Sequence, residues 1–219
     1  MNKVGVIISG GTIDTAFTLE QLEKIKPEIM IGVDGGLSFL YENHITPTHI
    51  VGDFDSVAPE IVEYYRHNTK VPARQFNPMK DASDTELAVK LAVELKVKKL
   101  WILGATGTRI DHVWANVQTL KIAHDAGVKA YILDANNRIS LVEKEVSLTK
   151  ESAYGTYFSV FPLGGNVLDF NIEGAKYPLH NHVLSPYGSL CVSNEILEKE
   201  VRITFPEGIV VLMETRDTQ

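Results

Sequence analysis

Residues 83–112 read SDTELAVKLAVELKVKKLWILGATGTRIDH, and the period of the apolar positions changes twice within them. Over residues 83–97, Leu87, Leu91 and Leu95 recur every four positions with Ala88 and Ala92 beside them, the spacing of one helix face. Ser83 followed by Glu86 has the form of a capping box, which sets the start of that helix. The apolar run KLWIL at residues 99–103 reads as a strand, and a loop with two glycines then leads into a second helical pattern over residues 110–126, closed by Gly127. Residues 129–133 form the next strand. Helices alternating with short apolar strands imply parallel strands joined by crossovers.

The same alternation runs back to the start of the chain. Residues 3–9, 29–33, 49–51 and 70–76 read as strands or extended segments, and residues 19–26, 37–42 and 59–67 as helices. Residues 1–136 are therefore expected to form an α/β domain, a Rossmann-like, mostly parallel sheet with helices on both faces. After the turn Ala135-Asn136-Asn137 the pattern changes. Short strand candidates at residues 139–142, 157–161, 167–172, 189–192, 201–204 and 209–214 are separated by Gly, Pro and Asn, with no helical pattern of useful length. Residues 137–219 are expected to form an antiparallel, all-β sandwich.

Composition narrows the function classes. The chain has 219 residues, 44% apolar, with a formal net charge of -7. There is no basic field to collect nucleic acid or an anionic membrane surface. One cysteine, Cys191, excludes an intrachain disulfide. The apolar run at residues 4–8 is too short for a signal sequence, and nothing approaches the roughly 20 apolar residues of a membrane span. A cytoplasmic protein is expected.

In an open α/β sheet, ligands bind beyond the carboxyl ends of the strands. Asp34 follows the second strand, Asp53 and Asp55 the third, Asp81 and Asp84 flank the long helix, and Asp111 begins the next one. Such a cluster needs compensation, because like charges about 4 Å apart repel by roughly 4 kcal/mol at an effective dielectric of 20. Divalent cations with hard oxygen ligands, Mg²⁺ above all, are the simplest solution. Asp53-Phe54-Asp55 in an extended segment would aim two carboxylates to one side and Phe54 to the other. Each acid alone has a plainer reading: Asp34-Gly35-Gly36 as a turn, Asp84 as a favourable charge at a helix start.

Phosphate has its own candidates. Gly10-Gly11-Thr12 after the first strand can offer backbone N–H groups to an anion. The loop Gly104-Ala105-Thr106-Gly107-Thr108-Arg109 adds a guanidinium fork, with a salt bridge to a nearby aspartate as the alternative role of Arg109. Lys80 is a further point charge. His112 is a candidate base or ligand, or a hydrogen-bonded structural histidine. Neither GxxxxGK[ST] nor GxGxxG nor zinc spacing occurs, which disfavours a Walker-type ATPase, a dinucleotide oxidoreductase and a zinc enzyme.

Taken in order, Asp34-Gly35-Gly36, Gly52-Asp53-Phe54-Asp55-Ser56, Lys80-Asp81-x-x-Asp84, Gly104-x-x-Gly107-x-Arg109-x-Asp111-His112 and Val192-Ser193-Asn194-Glu195 resemble the thiamin pyrophosphokinases, bacterial branch, over nearly the whole chain. The resemblance implies an N-terminal nucleotide-binding domain, a C-terminal β-sandwich that binds thiamin, and a homodimer with thiamin held between subunits. It implies pyrophosphoryl transfer from ATP to thiamin with Mg²⁺, giving thiamin diphosphate and AMP. On it, Asp53, Asp55 and Asp84 match metal and catalytic positions, with Asp81 or Asp84 as proton acceptor and Arg109 steadying charge. Gly11, Thr12, Asp34, Gly35, Lys80, Thr106, Arg109 and Asp111 fall at nucleotide positions, and Ser193, Asn194 and His112 at substrate positions. Two departures stand out. Gly107-Thr108-Arg109 replaces the frequent Gly-Gly-Arg, and residues 208–213 lack the tryptophan that some relatives place against thiamin, leaving Tyr187 as the candidate for stacking. Transfer to another hydroxymethyl heterocycle and a non-catalytic nucleotide sensor are the rival readings.

Overall fold

The computed structural model describes residues 3–75 and 82–218. The chain divides into two compact units, Met1–Ala135 and Asn136–Gln219.

The first unit runs β1 (Val4–Ile8), α1 (Thr15–Ile25), β2 (Ile29–Val33), α2 (Gly36–Glu42), β3 (His49–Gly52), α3 (Pro59–Asn68), β4 (Ala73–Gln75), α4 (Asp84–Glu94), β5 (Lys99–Leu103), α5 (Ile110–Asp125), β6 (Lys129–Leu133). Its strands lie in the order β4-β3-β2-β1-β5-β6, every neighbouring pair parallel. From β1 the chain steps outward to β4, then returns to lay β5 on the other side of β1. Right-handed crossovers in opposite directions put α1–α3 on one face and α4 and α5 on the other. The place where the order reverses, between the carboxyl ends of β1 and β5, is where open α/β sheets hold ligands.

Local chemistry explains the helix boundaries. Ser83 accepts the Glu86 N–H at 3.2 Å, one half of the expected capping box. The other half is absent, because the Glu86 carboxylate takes Lys90 instead. Helix α1 begins earlier than its apolar pattern, since Asp14 caps it by accepting the Phe17 N–H at 3.0 Å. Helix α5 ends at Gly127, whose φ of 69° suits a residue without Cβ. Among the described residues no helix is long and apolar enough to cross a membrane.

The second unit is all β: β7 (Asn137–Val142), β8 (Glu145–Thr149), β9 (Tyr157–Pro162), β10 (Val167–Glu173), β11 (Leu179–Leu184), β12 (Asn194–Glu195), β13 (Glu200–Thr204) and β14 (Val210–Thr215). Antiparallel strands β7-β14-β9-β12 form one layer and β8-β13-β10-β11 the other. Phe158, Val160, Phe170, Ile172, Ile203 and Leu212 share the core between them. Strands β8 and β11 escape the sequence pattern, and residues 189–192 form no strand; pairing with β9 begins only at Asn194.

One buried ion pair ties this unit together. Arg138 on β7 and Glu214 on β14 are register partners. The Arg138 Nε donates to Glu214 Oε2 at 2.7 Å, and the Tyr154 N–H donates to Glu214 Oε1 at 3.0 Å. Glu214→Ala would leave the half-buried guanidinium without its counter-ion, and is expected to destabilise the chain by roughly 3 kcal/mol in urea unfolding. Adding Arg138→Met is expected to recover most of that loss.

Candidate active site

Three strand and helix ends bring carboxylates together. Asp34 follows β2 with φ 39°, Asp53 follows β3, and Asp84 opens α4 directly after its cap. One oxygen from each lies within 4.8 Å of the other two, and all three residues are half-buried. The Asp34 carboxylate lies against the backbone of Gly52. A Cβ at Gly52 would come within 1.9 Å of Asp34 Oδ1, and the φ of 153° there also favours glycine. The Phe54 N–H donates to Asp34 Oδ1 at 3.3 Å. Burial, then the hydrogen bond and charge of Asp84, push the Asp34 carboxyl up to about 7, against the pull of the Phe54 N–H. Without a cation, Asp34 therefore keeps its proton well above the ordinary carboxyl range.

The stretch Asp53-Phe54-Asp55 departs from the extended form expected of it. Phe54 is buried, as expected, but in the left-handed region at φ 65°. The chain then turns so that the Asp55 N–H donates to Asp53 Oδ1 at 3.3 Å. Asp55 consequently stands exposed, outside the gathered trio, with Asp34 in the place expected for it. Asp111 also stands apart. Arg109 holds it through Nη2–Oδ2 at 2.6 Å and Nε–Oδ1 at 3.3 Å, both residues exposed. That guanidinium draws the Asp111 carboxyl below its ordinary range. Lys80 and Asp81 lie outside the described residues.

Beside the trio opens a cleft of about 480 Å³, lined by residues 9–12, 83–85 and 104–109 with Asp34, Gly35, His112 and Asn116 among others. Gly35, Thr106, Arg109 and His112 all line this cleft, and His112 is exposed rather than fixed in packing. Gly11 and Thr12 line the wall but do not offer their N–H groups to an anion. The Gly11 N–H is given to Gly104 O at 2.8 Å and the Thr12 N–H to Thr106 O at 2.8 Å. These bonds need close backbone approach, since a Cβ on Gly11 would fall 2.3 Å from Thr106 O. Asn116 Nδ2 secures the same loop by donating to Ala105 O at 2.8 Å. Arg109 and the first turn of α5, whose leading N–H groups have no carbonyl one turn back, are better placed to meet an anion. Sequence reasoning missed Ser9, Thr85 and Asn116, small polar residues that carry no motif.

In the second unit the expected substrate residues part company. Asn194 is buried and its amide is engaged: Oδ1 accepts the Tyr177 N–H at 3.0 Å and the Glu195 N–H at 2.9 Å, while Nδ2 donates to Tyr177 O at 2.8 Å. It holds β12 in place. Ser193, at φ 56°, keeps an exposed side chain, and Tyr187 is 96% exposed.

Residues 21–132 match the thiamin pyrophosphokinase catalytic domain, and residues 143–210 the thiamin pyrophosphokinase vitamin B1 binding domain. The chain belongs to the thiamin pyrophosphokinase family. It is thus a member of an enzyme family, and the two matched domains fall within its two compact units. Thiamine pyrophosphokinase of Bacillus subtilis is 30% identical over 190 residues, which cover 86% of this chain and 88% of that one. Its crystal structure superposes with a TM-score of 0.86 at 28% identity, over 99% of this chain and 100% of that one. The thiamin pyrophosphokinase of Geobacillus thermodenitrificans gives a TM-score of 0.82 at 29% identity, over 99% of each chain. The yeast thiamin pyrophosphokinase, at 17% identity, covers 97% of this chain and 86% of its own and shares the fold with a TM-score of 0.81.

The raised Asp34 carboxyl has a consequence for stability. Between the ordinary carboxyl value of 3.8 and about 7 the folded chain holds a proton that the unfolded chain has released, so stability falls as pH rises through that window. Asp34→Asn is expected to raise the melting temperature at pH 8 by ~3 °C or more, with a smaller gain at pH 5. Mg²⁺ is expected to stabilise the wild type at pH 8 and not this variant.

Proposed function

We propose that this chain transfers a pyrophosphoryl group from ATP to the hydroxyl of thiamin, releasing AMP and thiamin diphosphate, with Mg²⁺ at the Asp34–Asp53–Asp84 trio. The observation that carries this reading is the trio itself, three hard oxygen donors drawn together at the edge of a cleft of nucleotide size in a chain of this family. The residues fit the ion. Their oxygens are close enough for one cation, and burial together with the neighbouring carboxylates leaves Asp34 holding a proton that a cation would displace. Asp55 is proposed as a further ligand: it lies two residues from Asp53, and its carboxylate makes no hydrogen bond or ion pair within the described residues. Bound Mg²⁺ would neutralise polyphosphate charge and orient its oxygens.

In the transfer, the thiamin hydroxyl oxygen bonds to the β-phosphorus, the bond from that phosphorus to the oxygen bridging to the α-phosphate breaks, and AMP departs with that oxygen. The hydroxyl proton passes to a carboxylate, for which Asp84 and Asp81 remain the proposed acceptors. Protein groups contribute positioning and charge rather than covalent chemistry. Arg109 is proposed to leave Asp111 for the phosphates, exchanging one carboxylate partner for more highly charged oxygens. The nucleotide wall is taken to include Gly11, Thr12, Gly35, Thr106 and Asp111, and Lys80 is proposed as a further phosphate contact. On the thiamin side the proposed contacts are Ser193 and His112, with Tyr187 for stacking. The negative trio suits the positive thiazolium.

Incubation with ATP, Mg²⁺ and thiamin is expected to yield AMP and thiamin diphosphate in equal amounts. ADP instead would identify an ordinary kinase, and no turnover with intact nucleotide binding would favour a sensor. Asp53→Asn, Asp55→Asn and Asp84→Asn are each expected to cut turnover about a hundredfold or more.

A homodimer is also proposed. Leu168, Tyr177, Val183, Tyr187, Leu190 and Leu197 of the second unit are exposed, and the proposal is that a second copy covers some of them. Light scattering is expected to give twice the chain mass of 24.3 kDa, and a monomer would remove this part of the proposal.

A further inference from the structure

Ser9 follows β1 and Thr85 lies in the first turn of α4, and their hydroxyl oxygens are 2.7 Å apart. Both residues are almost fully enclosed, with 2% and 9% of their surface exposed, and both line the cleft. Two hydroxyls carry two hydrogens, and the bond between them uses one. Neither hydroxyl has another hydrogen-bond partner among the described residues. Whichever residue donates, the other is left with a hydrogen and no acceptor among the described residues. Buried donors are normally satisfied, so a leftover hydrogen on a cleft wall points to an acceptor that comes from outside.

We propose that this hydroxyl pair acts as a single built donor to an anionic phosphate oxygen of the bound nucleotide. The inference rests on the nucleotide reading of the cleft. An anion is the acceptor because the surrounding groups favour one. The pair lines the same cleft as the Arg109 loop, and Thr85 lies at a helix start, where the positive end of the dipole attracts negative charge. An uncharged donor at this point adds directional hydrogen bonding without competing with Asp84, the next residue, for a cation. The Ser9 N–H is bound to Leu103 O at 2.8 Å, which fixes the pair relative to β5.

The two-hydroxyl arithmetic makes an unusual prediction. Ser9→Ala or Thr85→Val leaves one hydroxyl with its hydrogen still available. Each single variant is expected to bind Mg–ATP more weakly than the wild type but more tightly than the double variant, while losing stability because its remaining hydroxyl has lost a protein partner. The double variant removes donor and acceptor together. It is expected to recover stability relative to either single variant, yet to bind Mg–ATP and inorganic tripolyphosphate about tenfold or more weakly. Calorimetric titration and urea unfolding of the four proteins read both quantities. A purely structural pair would show affinity following stability, so a double variant that binds both probes like the wild type overturns the proposal. If the wild type binds tripolyphosphate but not ATP, and the double variant loses it, the pair stands and the nucleotide reading falls. Wild-type chain that binds neither probe overturns both.

Discussion

Three carboxylates held within 4.8 Å of one another on partly buried backbone are an unfavourable arrangement, and the fold spends stability to keep it. Burial and the neighbouring carboxylates leave Asp34 holding its proton up to about 7. A divalent cation would replace that proton with a stronger and better-placed charge. The cleft, the Arg109 loop and the hydroxyl pair all gain their meaning from lying beside that trio.

Glycine and short backbone bonds make the arrangement possible. Gly52 lets the Asp34 carboxylate lie on the β3 backbone, where any side chain would strike it. Gly11 and Gly104 let two loops from opposite sides of the switch point bond through their main chains. The wall of the cleft is thus joined backbone to backbone, and its side chains are left free to meet a ligand. This is why a residue such as Thr12 can line the site without using its N–H there.

Much of this was legible in the sequence because it is periodic or local. The four-residue repeat of Leu87, Leu91 and Leu95, the Ser83 cap and the Gly127 stop marked two helices, the second nearly to the residue, while the first ends at Glu94, earlier than the apolar pattern extends. Acids at strand ends pointed to the site. What failed was geometry that depends on partners far along the chain. An extended Asp53-Phe54-Asp55 was the natural reading, but the left-handed turn at Phe54 selects Asp53 and leaves Asp55 to solvent. Strand β11 carries His180, Asn181 and His182 where an alternating strand would be apolar on one side, with Asn181 at φ 48°, so no simple period marks it. Asn194 looks like a ligand residue in a short motif, yet its amide is consumed in holding β12, which only burial reveals. Ser9 and Thr85 are ordinary residues until the fold sets their oxygens 2.7 Å apart.

The central claim is that Asp34, Asp53 and Asp84 form one cation site. Crystals grown with Mn²⁺ and ATP, measured at the manganese absorption edge, test it directly. The account predicts an anomalous peak bonded to oxygens of at least two of these three residues. A peak held by other residues, or density at the nucleotide with no metal among the three, would contradict it.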